Sequence, residues 1–151
     1  MELQAVTDEI EELIKRHPPL RRQHELLTSI PGIANLTTSR ILGEMPNIAE
    51  YRSAKTVAAF AGLSPREYQS GTLRGRTRLA KTGNAQLRRA LFFPAMVATR
   101  HNPILKALYR RLTEAGKPKM VALAAVMRKL LVLAYGVLKS NQPFDQAYAA
   151  T

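Results

Sequence analysis

Apolar residues recur at steps of three and four along nearly the whole chain, which is the period of a helix face. Leu3, Val6, Ile10 and Leu13 form a stripe over about two heptads, as in a short coiled coil or the end of a longer one. Pro18-Pro19 is expected to stop that helix. Further helices are predicted over Arg21–Ser29 and Leu36–Glu44, with Met45-Pro46-Asn47 ending the latter. Ser53 reads as the N-cap of a helix through Phe60. Asn84 reads as the cap of another reaching about Thr99, interrupted or kinked near Pro94. Pro103 opens a helix that Gly116 closes, and Lys119–Lys139 is apolar on most faces, as a central core helix must be. The pattern predicts an all-α protein: a coiled-coil helix end over 1–19, a helical domain over 20–140 and a frayed tail over 141–151.

One segment breaks the period. Gly62 to Gly83 holds four glycines, one proline and several Ser and Thr, with little apolar repetition. It is expected to be an ordered loop or short hairpin, and it is long for a connection inside a compact domain, which points to function or disorder.

Charge concentrates around that segment. The 151 residues carry 23 Lys+Arg and 11 Asp+Glu, a net charge of +12. Met1 to Ile14 holds five acids and no base, unlike a secretory leader. From Arg66 to Lys129 there are 15 basic residues against Glu67 and Glu114. So dense a field attracts a polyanion, and phosphate backbones are the commonest such partner; the plain alternative is a solvated basic face. The 46% hydrophobic fraction suffices for a core, and the absence of Cys excludes disulfides and Cys-based zinc sites. Arg128-Lys129 in the middle of the longest apolar stretch argues against a membrane span, so a cytoplasmic protein is expected.

Two motifs carry candidate chemistry. Ile30-Pro31-Gly32-Ile33-Ala34 between two predicted helices matches the helix-hairpin-helix pattern over 21–45. A tight Pro-Gly turn leaves backbone N–H groups of Gly32, Ile33 and Ala34 free at a helix start, where the helix dipole also favours a phosphate. Gly32 is expected to allow close approach of that phosphate, and Thr37, Thr38 and Arg40 to add contacts. The usual second glycine is Ala34 here. A hairpin used only for packing is the alternative. Base-excision glycosylases share the hairpin but need an Asp downstream, where this chain has Glu44 and Glu50.

The second motif is Ser70-Gly71 amid Arg66, Arg74, Arg76, Arg78 and Lys81, followed by Arg88-Arg89. Arginine forks suit phosphate oxygens and charge developing at phosphorus. A serine there would need a base or metal to attack a phosphodiester, and none is evident nearby, so a turn serine within a nucleic-acid-binding loop stays open.

Taken together, Gly62-Leu63-Ser64-Pro65-Arg66, Ser70-Gly71, Lys81-Thr82-Gly83-Asn84 and Leu87-Arg88, placed after the Ile30-Pro31-Gly32-Ile33 turn, are similar to the C-terminal domain of insertion-sequence transposases of the 110/116/902 family. The likeness spans about Leu26 to Leu112. It implies a DNA recombinase in two parts, an N-terminal RuvC-like half with an acidic metal site and a C-terminal half that supplies a serine. That serine forms a covalent phosphoserine link to DNA, and a structured guide RNA selects target and donor. Carried over, the serine is Ser70, and Arg66, Arg74, Arg76, Arg78, Lys81, Arg88 and Arg89 contact nucleic acid backbones. The acids of this chain are too dispersed for a two-metal cluster. The resemblance therefore implies a fragment that binds DNA and is inactive alone, with no cofactor of its own and Mg2+ supplied through the N-terminal half. Pairing of the Leu3–Leu13 stripe implies a homo-oligomer.

Among remaining residues, His17, His24 and His101 are too far apart for a local metal motif, and His24 is expected at the surface. Most aromatic residues are spaced as core, Tyr68 excepted, whose loop could stack it on a base or offer its hydroxyl as a nucleophile. Met96, Met120 and Met127 read as core filler.

Overall fold

The computed structural model describes residues 2–68, 76–79 and 83–149. They form an all-α bundle interrupted by a two-stranded antiparallel ribbon. Helices α1 (Glu2–Arg16), α2 (Pro18–Thr28) and α3 (Asn35–Glu44) are followed by a 3-10 turn (Ile48–Glu50) and α4 (Ala54–Phe60). Strands β1 (Pro65–Tyr68) and β2 (Arg76–Leu79) come next, then α5 (Ala85–His101), α6 (Pro103–Glu114), α7 (Lys119–Ser140) and a short α8 (Gln146–Ala149).

Local chemistry sets most boundaries. Ser53 Oγ accepts the Thr56 N–H at 3.3 Å while Thr56 Oγ1 accepts the Ser53 N–H at 3.2 Å, a reciprocal cap that starts α4. Asn84 Oδ1 accepts the Leu87 N–H at 2.9 Å to start α5, which runs on through Pro94. Asn102 Oδ1 accepts from Ile104 and Leu105 to start α6, with Pro103 in its first turn. Helix α1 ends at Arg16, just before Pro18-Pro19, as expected, but the pair also opens α2 three residues before the predicted Arg21, because a proline in the first turn removes an N–H that would have no partner anyway. Only His17 separates α1 from α2.

At the centre lies α7, packed against α2, α4, α5 and α6. Leu130 and Leu131 are fully buried there with Leu27, Ile41, Leu91 and Leu105 from the surrounding helices. By length and composition α7 could cross a membrane, but most of it is covered by the other helices. Tyr51 ties the turn after the 3-10 segment to it, its carbonyl accepting from the Tyr135 hydroxyl at 2.6 Å and from Lys139 Nζ at 3.3 Å. The chain after Asn141 comes back onto the body rather than fraying at once. Arg22 donates to both Asn141 oxygens, Phe144 N–H donates to Ser29 Oγ at 2.8 Å, and the Phe144 ring packs on the core.

Three apolar expectations change. Phe93 is 72% exposed, and Met96 and Met120 are also exposed, whereas Met127 is buried as expected. The α1 stripe of Leu3, Val6, Ile10 and Leu13 is exposed throughout.

Candidate nucleic-acid interface

Residues 29–34 make the turn between α2 and α3. Its apolar anchors Ile30 and Ile33 are buried, and Ile33 donates its N–H to the Ile30 carbonyl at 3.0 Å, so that donor is already engaged within the turn. Gly32 is needed for a reason other than access for a phosphate. Its φ is +110°, a region that side chains disfavour, and a Cβ there would stand 2.7 Å from Ala98 Cβ and 3.1 Å from the Pro94 carbonyl oxygen. The turn therefore lies against α5. Asn102, fully buried, holds it from the next helix, donating from Nδ2 to the Pro31 carbonyl at 3.1 Å.

What this packing leaves outward is the start of α3. Ala34, Asn35 and Leu36 are exposed, Leu36 to 62%, and Ala34 at the N-cap supplies no side-chain acceptor. The first-turn N–H groups, beyond reach of any intrahelical carbonyl, thus stand at an exposed end together with the positive pole of the helix. Arg40 is exposed one turn on from Leu36, on the same side of α3, and Thr37 is half-buried. Thr38 is not available: it is fully buried and donates its hydroxyl to the Ala34 carbonyl at 3.0 Å.

The second element is the ribbon and the neck beneath it. At the neck, Gly62 (φ +71°) and Gly83 (φ +116°) sit backbone against backbone. A Cβ at Gly83 would lie 2.5 Å from the Gly62 nitrogen and 2.8 Å from the Phe60 carbonyl oxygen. Asn84 closes the junction with its N–H and both polar groups of its side chain. Its N–H donates to the Phe60 carbonyl at 2.6 Å, its Oδ1 caps α5, and its Nδ2 donates to Glu44 Oε2 at 2.6 Å. Arg88 Nη1 adds a bond to the Ala61 carbonyl at 3.2 Å. The ends of the 62–83 segment are thereby clamped to α3, α4 and α5, and Glu44 is a structural acceptor.

Above the neck, β1 and β2 pair antiparallel with Arg66 opposite Arg78 and Tyr68 opposite Arg76. By the two-residue alternation of a strand, these four positions share one face of the ribbon and Glu67 falls on the other. Three cationic positions on one face with no acid among them form a stripe suited to a phosphate backbone.

Of the residues singled out in the sequence, Ser70, Arg74 and Lys81 lie outside the described residues. The structure brings Arg66, Arg76 and Arg78 together on the ribbon. It puts Arg88 at the neck and Arg89 exposed beside it on α5. Gly32, Ile33, Ala34 and Arg40 belong to the α2–α3 unit, which packs on the far half of α5 through Ala98. Among the residues with described side chains, ion pairs are confined to Lys15–Glu12 and Arg22–Glu25, so Arg40, Arg88 and Arg89 have no acidic partner. No group of three or more His, Asp or Glu side chains stands together among the described residues, so they do not fit a two-metal site.

His24 departs from its expected surface placement. Its Nε2 is buried without a hydrogen-bond partner, and burial lowers its pKa below the ordinary 6.5, opposed by the nearby Glu11 carboxylate. Sequence reasoning missed Asn102 and the Gly62–Gly83 neck. An Asn before a Pro signals a helix cap, but the bond of Asn102 to Pro31 spans the fold and has no local signature.

Comparison with known proteins covers both elements. The profile of the transposase IS116/IS110/IS902 family matches residues 24–110, from within α2 to within α6. The chain is 36% identical over 140 residues to the pilin gene-inverting protein of Moraxella bovis, covering 91% of this chain and 44% of that protein. The insertion element IS110 43.6 kDa protein of Streptomyces coelicolor is 27% identical over 146 residues, covering 97% of this chain and 35% of its own length. The insertion element IS900 42 kDa protein of Mycobacterium paratuberculosis is 28% identical over 139 residues. The chain spans less than half the length of these curated relatives.

Proposed function

We propose, from the premise that the chain belongs to the IS116/IS110/IS902 transposase family, that it is the helical, DNA-holding part of a recombinase that cleaves and transfers DNA strands. The observation that carries this reading is the ribbon register, which gathers Arg66, Arg76 and Arg78 on one face above a neck clamped by Gly62, Gly83 and Asn84. The exposed, uncapped start of α3 supports a second backbone contact through N–H groups after Ile33, with Arg40 nearby on the same helix. Both contacts address phosphates and read no bases, which suits an enzyme whose sequence choice is delegated to a structured guide RNA.

In the proposed chemistry Ser70, in the segment between the strands, is the nucleophile. Its Oγ bonds to phosphorus as a phosphorus–oxygen bond to the strand breaks. The serine loses a proton and the released sugar oxygen gains one, so the linkage energy is kept for strand transfer. The described acids do not form a metal site, so no step is assigned to a metal on this chain. The Mg2+ of the proposed intact enzyme belongs with acidic residues elsewhere. The protein is proposed to act at the bacterial nucleoid, as a homo-oligomer paired through the exposed α1 stripe.

A second reading, nucleic-acid binding without chemistry, keeps the α3 start and the ribbon and drops Ser70. Duplex binding by this chain with Ser70→Ala, Arg40→Ala and paired Arg76→Ala/Arg78→Ala substitutions tests the shared part. Arginine removal is expected to weaken binding on any sequence, while Ser70→Ala leaves it unchanged. A transposase of full family length carrying Ser70→Ala then separates the readings: loss of a protein–DNA adduct with affinity retained supports the nucleophile, and adduct formation by the variant removes it.

A further inference from the structure

Beside the neck, on the solvent side of α5, lies a groove of about 360 Å³ lined by Arg88, Arg89, Phe92, Phe93 and Met127. That is near the small end of the range for small-molecule pockets, roughly 300–1,000 Å³. Phe92 and Phe93 meet edge to face, ring centroids 5.6 Å apart at 82°, so each ring braces the other. Phe93 is the most exposed aromatic ring with a described side chain, at 72%. None of the described lining residues is acidic, and none of them carries a hydroxyl or amide side chain.

We infer that this groove takes an unpaired base of a DNA strand, stacked on Phe93, with Arg89 holding the adjoining phosphate. The inference rests on the nucleic-acid reading above and adds a ligand that neither the ribbon nor the α3 start addresses. A flat, π-bearing body tied to an anion is the ligand selected by an exposed aromatic beside an arginine that has no acidic partner among the described side chains. A duplex hides its base faces and cannot offer one. An acidic peptide would satisfy Arg89 but leave the ring without a flat partner, and the choice of DNA over RNA follows the recombinase reading above. The position fits the use: Arg88, one residue before Arg89, is bonded to the neck of the ribbon, so a displaced base would be held where the strand leaves the ribbon.

The chain has no tryptophan, so Phe93→Trp places a single reporter in the groove. Titration with oligo(dT), with oligo(U) and with a duplex of equal length, in wild type, Phe93→Trp, Phe93→Ala and Arg89→Ala, tests the inference. Expected are quenching of the tryptophan by oligo(dT), a roughly tenfold loss of oligo(dT) affinity in Phe93→Ala, and unchanged duplex affinity in the same variant. Oligo(dT) binding that ignores Phe93→Ala overturns the groove while duplex binding by wild type still stands. A Phe93-dependent preference for oligo(U) overturns the assignment to DNA. Conversion of a self-associated protein to a monomer by Phe93→Ala, with oligo(dT) affinity intact, makes the ring a protein contact instead. Wild type that binds neither strand nor duplex removes this inference together with the reading beneath it.

Discussion

The turn between α2 and α3 and the neck of the ribbon both depend on a glycine at positive φ, yet the two glycines are confined by different things. Gly32 meets a side chain, Ala98 Cβ, together with the Pro94 carbonyl. Gly83 meets only backbone, the nitrogen and Cα of Gly62 and the carbonyl of Phe60. Gly32, which the sequence assigns to phosphate approach, is like Gly83 occupied with packing the protein against itself. The faces left for a ligand are elsewhere, at the open start of α3 and on the ribbon above the neck. In both regions the glycine sets the position of the binding face without forming it.

The contrast orders the expected effects of substitution. Gly83→Ala should be the most damaging, because backbone cannot move aside; a loss of roughly 4 kcal/mol or failure to fold is expected, read by urea unfolding. Gly32→Ala should cost about 2–4 kcal/mol, combining left-handed strain with overpacking. Ala98→Gly in the same chain should recover about 1 kcal/mol or more of it, a coupling that a double-mutant cycle measures. No side-chain truncation should rescue Gly83→Ala. If both glycine variants respond alike to Ala98→Gly, the distinction drawn here is wrong.

Asn102→Ala comes next. It removes the α6 cap and leaves the Pro31 carbonyl without its donor, for about 2–3 kcal/mol in thermal unfolding. Asn102→Ser keeps a cap oxygen and loses the donor to Pro31, so it should fall between wild type and alanine.

The smallest effect is the pH dependence set by His24. Its pKa is lowered on folding, so the unfolded chain binds the proton more tightly. The folded state is then favoured above the ordinary value of 6.5 and weakens as pH falls below it. His24→Gln should flatten the melting temperature across that window, and Glu11→Gln should steepen the loss, since the carboxylate offsets part of the burial.

Much of the helical frame was legible because caps and breakers act locally. Ser53, Asn84 and Pro103 mark helix starts through groups within three residues of the boundary. Pro18-Pro19 marks the end of α1, but a proline pair signals a beginning as well as an end, and α2 starts at Pro18 rather than at the predicted Arg21. Burial was harder to read. Phe93, Met96 and Met120 have core chemistry but lie on outward faces of helices whose inner faces are already filled, and Thr38 has surface chemistry but lies inward. For the site, the sequence predicts an ordered loop or short hairpin over 62–83, and the strand pairing is what gathers Arg66, Arg76 and Arg78. Asn84 joining Glu44 and Asn102 joining Pro31 are bonds across 40 and 71 residues, which no local pattern announces.

The central claim is that the ribbon's cations hold a nucleic acid backbone. Its most direct test is the dependence of duplex affinity on salt in wild type and in the Arg76→Ala/Arg78→Ala variant. Removal of two phosphate contacts should reduce the slope of log K against log salt by about two, equally on unrelated sequences. An unchanged slope, or no duplex binding by wild type at low salt, would contradict the account.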